Sequence, residues 1–130
     1  MRSETVTAVL QAPADEVFDF LADIENLPEW ATEFARRLER RGDDYLVANG
    51  LGEFYFELRA DRGTGVIDMF AGPTKHELAV FPTRVVPLPD GSSAFTFTMF
   101  QAAGMPDELF ASQHASLQRE LAGVERRFAG

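Results

Sequence analysis

The chain has 130 residues, the length of one ordinary domain, with 45% apolar and 12% aromatic residues. Its net charge of −9, from 21 acidic against 12 basic residues, argues against nucleic acid and anionic membrane surfaces as partners, since both require a basic footprint. It contains no cysteine, which excludes disulfides, thiolate metal sites and cysteine nucleophiles.

Residues 4–11 alternate, with Val6, Ala8 and Leu10 on one face and Thr5, Thr7 and Val9 on the other, which is the pattern of a strand. Pro13 ends it. Ala14-Asp15-Glu16 then opens a helix whose first-turn acids suit the helix dipole, and Val17, Phe18, Phe20 and Leu21 keep helical spacing. Asp23 to Trp30 reads as a break followed by a second short helix, with Pro28 in its first turn. Segments 34–41 and 45–49 flank the turn Gly42-Asp43-Asp44. The basic cluster Arg36, Arg37, Arg40 and Arg41 reads as a solvated strand edge, because Glu39, Asp43 and Asp44 neutralise it.

Segment 53–61 alternates, with Phe54, Phe56, Leu58 and Ala60 against Glu53, Tyr55, Glu57, Arg59 and Asp61. A turn at 62–65, a strand over 66–71, a turn at 72–75 and a strand over 76–86 follow. Asp90-Gly91 is the strongest hairpin signal, and 94–101 closes the sheet. Residues 106–128 form the longest helix, with Pro106, Asp107 and Glu108 at its start. Phe110, His114, Leu117, Leu121, Val124 and Phe128 make one stripe along it, leaving Gln113, Gln118, Arg119, Glu120, Glu125 and Arg126 for the surface.

The element order is β-α-α-β-β-β-β-β-β-α, with about seven strands. This predicts an α+β fold, one domain over 1–130, in which a curved antiparallel sheet wraps the C-terminal helix and leaves an apolar cavity between them. Twelve Phe against two Tyr and one Trp fit a dense core or such a pocket, since Phe carries no polar handle for a wet edge.

Hairpin arithmetic names the cavity walls. A two-residue turn at Asp90-Gly91 sets Phe97 opposite Arg84, Met99 opposite Pro82 and Gln101 opposite Val80. A four-residue loop around Pro73-Thr74 sets Ala71 opposite His76 and Met69 opposite Leu78, and the turn at 62–65 sets Ala60 opposite Ile67. The inner face then collects Phe54, Phe56, Leu58, Ile67, Met69, Leu78, Val80, Phe95, Phe97 and Met99. The outer face collects Glu53, Glu57, Arg59, Asp68, Thr83, Thr96 and Thr98. A slip of one residue in any hairpin inverts these faces. The inner face carries three polar exceptions, His76, Arg84 and Gln101, and the helix stripe adds His114. Burying such groups without a partner costs about 1–3 kcal/mol each, so they need a partner, water or a ligand.

Three stretches carry a resemblance to a known superfamily. They are Ala12-Pro13-Ala14-Asp15-Glu16-Val17-Phe18-Asp19-Phe20-Leu21-Ala22-Asp23, Asn26-Leu27-Pro28-Glu29-Trp30 and Gly104-Met105-Pro106-Asp107-Glu108-Leu109-Phe110. The chain resembles the START-like (SRPBCC) superfamily, which includes the birch pollen allergen and the polyketide cyclase/dehydrase group. The resemblance implies a helix-grip fold and binding or conversion of apolar molecules such as lipids, sterols and polyketides. It is nearly silent about activity.

Three functions follow as expectations. The first is binding of a small hydrophobic ligand by Trp30, Phe54, Phe56, Met69, His76, Leu78, Arg84, Phe97, Met99, Gln101, Phe110, His114 and Leu117. The second is a cyclase- or dehydratase-like enzyme in which His76 and His114 act as acid and base and Arg84 stabilises an enolate. The third is a protein-interaction domain, as a homodimer, through Tyr55, Phe81 and Phe100 on the convex face. No cofactor and no metal are expected, the histidines standing too far apart in sequence for a metal-ligand pair. Met1-Arg2-Ser3-Glu4 runs directly into strand sequence and no apolar run approaches the ~20 residues of a bilayer span, so a cytoplasmic location is expected.

Overall fold

Alternating side chains build eight strands in the computed structural model, which describes residues 1–130. They are β1 (Ser3–Leu10), β2 (Arg37–Arg41), β3 (Asp44–Asn49), β4 (Gly52–Asp61), β5 (Val66–Gly72), β6 (Ala79–Phe81), β7 (Thr83–Pro87) and β8 (Ser93–Phe100). The helices are α1 (Ala14–Leu21), α2 (Leu27–Trp30), entered through a 3-10 turn at Ile24–Asn26, and α3 (Asp107–Arg127). The strands form one antiparallel sheet in the order β1-β8-β7-β5-β4-β3-β2, with β6 paired to β5. This is the expected α+β helix-grip arrangement.

The predicted strand 76–86 is interrupted at Pro82, which has no N–H to give the ladder. Both halves keep one register on β5, as Met69 opposite Phe81 and Val66 opposite Arg84 show. The Pro82 carbonyl still accepts the Thr98 N–H at 2.9 Å.

Helix α3 starts at Pro106 with acids Asp107 and Glu108 in its first turn and ends with Arg126 and Arg127, which matches the helix dipole at both ends. Its buried face carries Phe110, Leu117, Leu121 and Val124. These join Val17, Phe18 and Leu21 of α1, Leu27 and Trp30 of α2, and Ala8, Leu10, Phe95 and Met99 of the sheet in one core. No helix is long and apolar enough to cross a membrane.

The β4–β5 hairpin has its expected register, with Ala60 opposite Ile67 and Leu58 opposite Met69. Gly65 closes that turn at φ +76, and a Cβ there would lie 2.1 Å from the Val85 carbonyl oxygen. The other two hairpins differ from expectation. In β7–β8, Thr83 rather than Arg84 stands opposite Phe97, and Val85 stands opposite Phe95. The turn has three residues, not two. The Gly91 N–H donates to the Leu88 carbonyl at 3.1 Å, the Leu88 N–H to the Ser92 carbonyl at 2.9 Å, and Gly91 sits at φ +87. Pro89 and Asp90 take the corner, and the left-handed glycine absorbs the extra residue.

In β5–β6, Ala79 rather than His76 stands opposite Ala71, and Phe81 rather than Leu78 stands opposite Met69. The connecting loop doubles back over Gly72, where a Cβ would lie 1.8 Å from the Glu77 carbonyl oxygen. Both slips are by an odd number of residues, so both exchange the faces. Thr83 and Phe81, expected outside, turn inward: Thr83 is buried with its hydroxyl donating to the Ile67 carbonyl. Arg84 and Val80, expected inside, are exposed.

Candidate ligand cavity

Trp30 ends α2 and lies in the core, 4% exposed. Its ring meets Phe95 and Phe97 edge-on, with centroids 5.8 and 6.4 Å away. Phe97 in turn meets Phe81 at 6.0 Å, and Phe34 meets Phe56 at 6.0 Å. The side chains stop short of filling the space between these rings and the N-terminal half of α3. A cavity of about 460 Å³ remains. Its walls are Phe56, Met69, Phe81, Phe97 and Met99 of the sheet, Leu27 and Trp30 of α2, and Leu109 and Leu117 of α3. Its border is formed by the segment after α2 and the Asn49-Gly50-Leu51 turn.

One side of the cavity is polar. Glu120 of α3 is 6% exposed, and its Oε2 accepts the backbone N–H groups of Glu33 and Phe34, each at 3.0 Å. The Glu33 carboxylate returns to α3. It accepts Ser116 Oγ at 3.0 Å and the Arg119 guanidinium in a fork, Nε at 2.9 Å and Nη2 at 2.7 Å. Asn49 Nδ2 donates to the Phe34 carbonyl at 2.8 Å. The segment bordering the cavity is thus fastened to the helix in both directions. Burial pushes the Glu120 carboxyl above its ordinary value, and the two backbone N–H donors partly oppose this. The Arg119 hydrogen bonds hold the Glu33 carboxyl below its ordinary value, against the effect of desolvation. Trp30 Nε1 is buried with no hydrogen-bond partner.

Six of the residues expected to contact a ligand line this cavity: Trp30, Phe56, Met69, Phe97, Met99 and Leu117. The others stand elsewhere. Phe54 is half-buried against the core beside β3. Phe110 is fully buried beneath the Arg2 guanidinium, 5.0 Å from its ring centre. Gln101 ties down the loop before α3, its Nε2 donating to Met105 O and Asp107 Oδ1 at 2.8 Å each. His114 is half-buried at the helix flank, with Nδ1 3.4 Å from Glu4 Oε2.

The register slips account for the remaining three. Arg84 is exposed on the outer face, where its Nε donates to the Thr64 carbonyl at 3.1 Å. His76 lies exposed in the loop between β5 and β6. Leu78 lines a separate, more polar cleft with Tyr45, Tyr55 and Lys75. His76, His114 and Arg84 therefore do not meet at the cavity as the acid–base arrangement required. The proposed convex patch changes too: Phe81 faces the cavity, Tyr55 is half-buried, and Phe100 is exposed. No group of three or more His, Asp or Glu side chains is placed to hold a metal ion.

The sequence pattern did not single out Phe34 and Leu109, it assigned Glu120 to the helix surface although that residue is buried against the 31–36 segment, and it put Phe81 on the wrong face. Glu120 left a signal. It lies three residues after Leu117 and four before Val124, on the edge of the apolar stripe.

A curved antiparallel sheet closed by one long helix over a partly unfilled interior defines the helix-grip class of proteins. Residues 10–99 match the family described as polyketide cyclase / dehydrase and lipid transport. The chain belongs to that family, and its fold is that of START-like proteins. Solved structures agree on the fold. The protein XoxI from Bacillus cereus is 13% identical, with a TM-score of 0.78 over 99% of this chain and 96% of that one. A START superfamily protein from Mycobacterium smegmatis is 15% identical, with a TM-score of 0.67 over 98% and 97%. The di-domain ARO/CYC protein BexL of the BE-7585A biosynthetic pathway is 17% identical, with a TM-score of 0.73 over 97% of this chain and 46% of BexL. No curated protein matches the sequence.

Proposed function

We propose that this protein binds a small apolar molecule in the cavity between the sheet and the N-terminal half of α3. The observation that carries this reading is the unfilled space of about 460 Å³ behind Trp30, Phe81 and Phe97. The cleft opens toward solvent and is walled mainly by aromatic and aliphatic side chains, so it leaves apolar surface that a guest of matching shape would cover. Small-molecule sites typically enclose about 300–1,000 Å³ and are mostly apolar with a few placed polar groups, as here. The family's description, which joins cyclisation and lipid transport, supports an apolar guest.

Filling the space tests the reading. N-phenyl-1-naphthylamine, whose fluorescence rises in apolar surroundings, is titrated into the wild-type protein and into Leu117→Trp. Leu117 lines the cavity and is 5% exposed, so a larger ring there takes up its volume. The wild type is expected to bind one equivalent, and the variant to bind at least about ten-fold more weakly while it melts cooperatively. Absence of binding to the wild type, or equal binding to both, would refute the cavity as a ligand site.

A further inference from the structure

Three ionisable side chains border the cavity: Glu33, Arg36 and Glu120. Both carboxylates have donors within the fold. Glu33 takes the Arg119 fork and Ser116 Oγ, and Glu120 takes the Glu33 and Phe34 N–H groups. Arg36 makes no hydrogen bond and no ion pair. The acids expected to neutralise it are engaged or distant. Glu39 pairs with Arg41, Asp44 pairs with Lys75 at 2.6 Å, and Asp43 stands in the turn at the other end of β2. Glu33 feels Arg36 only as the last of the influences on its acidity, after the Arg119 hydrogen bond, burial and Ser116. Gly50 marks where the guanidinium lies. A Cβ on Gly50 would stand 3.9 Å from Arg36 Nη1, so the charge sits at the Asn49-Gly50-Leu51 turn that borders the cavity. Leu51 lines the same cavity and is 64% exposed. Apolar surface therefore continues to the border, and an unpaired cation stands there.

We propose that the cavity takes a guest with an apolar body and one terminal carboxylate, the body against Phe56, Phe81 and Phe97 and the carboxylate accepting from the Arg36 guanidinium at the border. This rests on the cavity being a ligand site, and it adds what the guest carries. A guanidinium presents paired N–H groups that match the two oxygens of a carboxylate. A carboxylate only accepts, so each oxygen needs a donor. At the border it has Arg36 on one side and water on the other, and its charge is not buried. A neutral guest covers the walls and leaves Arg36 in water. An ammonium guest meets a like charge at Arg36, and the two carboxylates nearby already have donors. The chain as a whole, at −9, repels anions, so a site that admits one needs a local cation. Because Arg36 is exposed, the gain is modest and salt screens it.

Two probes that share a chain and differ at the head test this. Decanoate and 1-decanol, kept below the concentrations at which they self-associate, displace N-phenyl-1-naphthylamine at neutral pH from wild type, Arg36→Gln and Arg36→Glu. The naphthylamine affinity is measured first for each protein. Arg36→Gln is expected to weaken decanoate about five-fold and Arg36→Glu about ten-fold or more, with 1-decanol changed less than about two-fold in both. Raising the salt from about 0.02 M to about 0.5 M is expected to weaken decanoate on the wild type by a factor similar to that of Arg36→Gln, and to have little effect on decanoate in that variant.

Equal losses of decanoate and 1-decanol in the variants, or no loss of either, overturn the carboxylate selection and leave the cavity as an apolar site. So does a wild type that binds 1-decanol and not decanoate. Failure of the naphthylamine and of both chains to bind the wild type removes the ligand site itself. If the variants do not melt cooperatively, the salt dependence of decanoate against 1-decanol on the wild type decides.

Discussion

At the scale of single residues, Glu120 and Glu33 are a pair of carboxylates driven apart in acidity by their surroundings. The folded Glu120 holds its proton to higher pH than it does in the unfolded chain, because burial disfavours its charge. Its contribution to stability is therefore fully present below the ordinary Glu value and is lost as pH rises through the raised folded value. Glu33 works the other way. Arg119 holds its pKa down, so its contribution is present above the ordinary value and is lost as pH falls through the lowered one. Urea denaturation across the acid range checks both signs. Glu120→Gln is expected to flatten the decline on the high side of the ordinary Glu value, and Glu33→Gln to flatten the loss on the low side. Part of this was legible: the inward Phe and Met side chains of the sheet were read from strand alternation, and Trp30 from its place at the end of the short second helix. Glu120 was not, because a helical wheel locates the edge of a stripe but cannot show that the 31–36 segment covers it.

At the scale of elements, what decides the cavity walls is where each hairpin turns. The β4–β5 register was legible because a compact turn and clean alternation agree. The β7–β8 register was not, since Asp90-Gly91 serves a three-residue turn as readily as a two-residue one and Pro89 favours its corner. The β5–β6 loop hides its length, because its folding back over Gly72 is a tertiary contact without local pattern. These glycines are accordingly intolerant. Gly65→Ala meets both a left-handed φ and the Val85 carbonyl, and Gly72→Ala meets the Glu77 carbonyl. Each is expected to cost more than about 1 kcal/mol in chemical denaturation, whereas Gly42→Ala, at φ +65 in open space, carries only the backbone penalty.

At the scale of the whole molecule, α3 does two jobs along its length. Its C-terminal half is locked. Phe128 meets Phe20 edge-on at 5.7 Å, Arg127 lies over the Phe20 ring at 4.0 Å, and the Phe128 carbonyl accepts the Gln11 N–H at 3.0 Å. Its N-terminal half borders the cavity instead, and the 31–36 segment is held there by polar groups. The sheet also guards its free edge: β2 carries Arg37, Glu39, Arg40 and Arg41, mostly exposed, which discourages pairing with another strand. The order of elements, the grip and the guarded edge were all readable from pattern. That a cavity remains was readable too, but its place along α3 was not, because that depends on which side chains fall short in three dimensions.

The fastening between Glu33, Glu120 and Arg119 also bears on time. On the proposed reading, a guest passes the 31–36 segment, whose backbone is tied to the helix, so its residence follows the lifetime of that tie rather than the area it buries. Arg119→Ala removes one strand of the tie without touching the cavity wall. Stopped-flow mixing with N-phenyl-1-naphthylamine is expected to show faster association and faster dissociation by similar factors, leaving the ratio, and so the equilibrium, close to where it began.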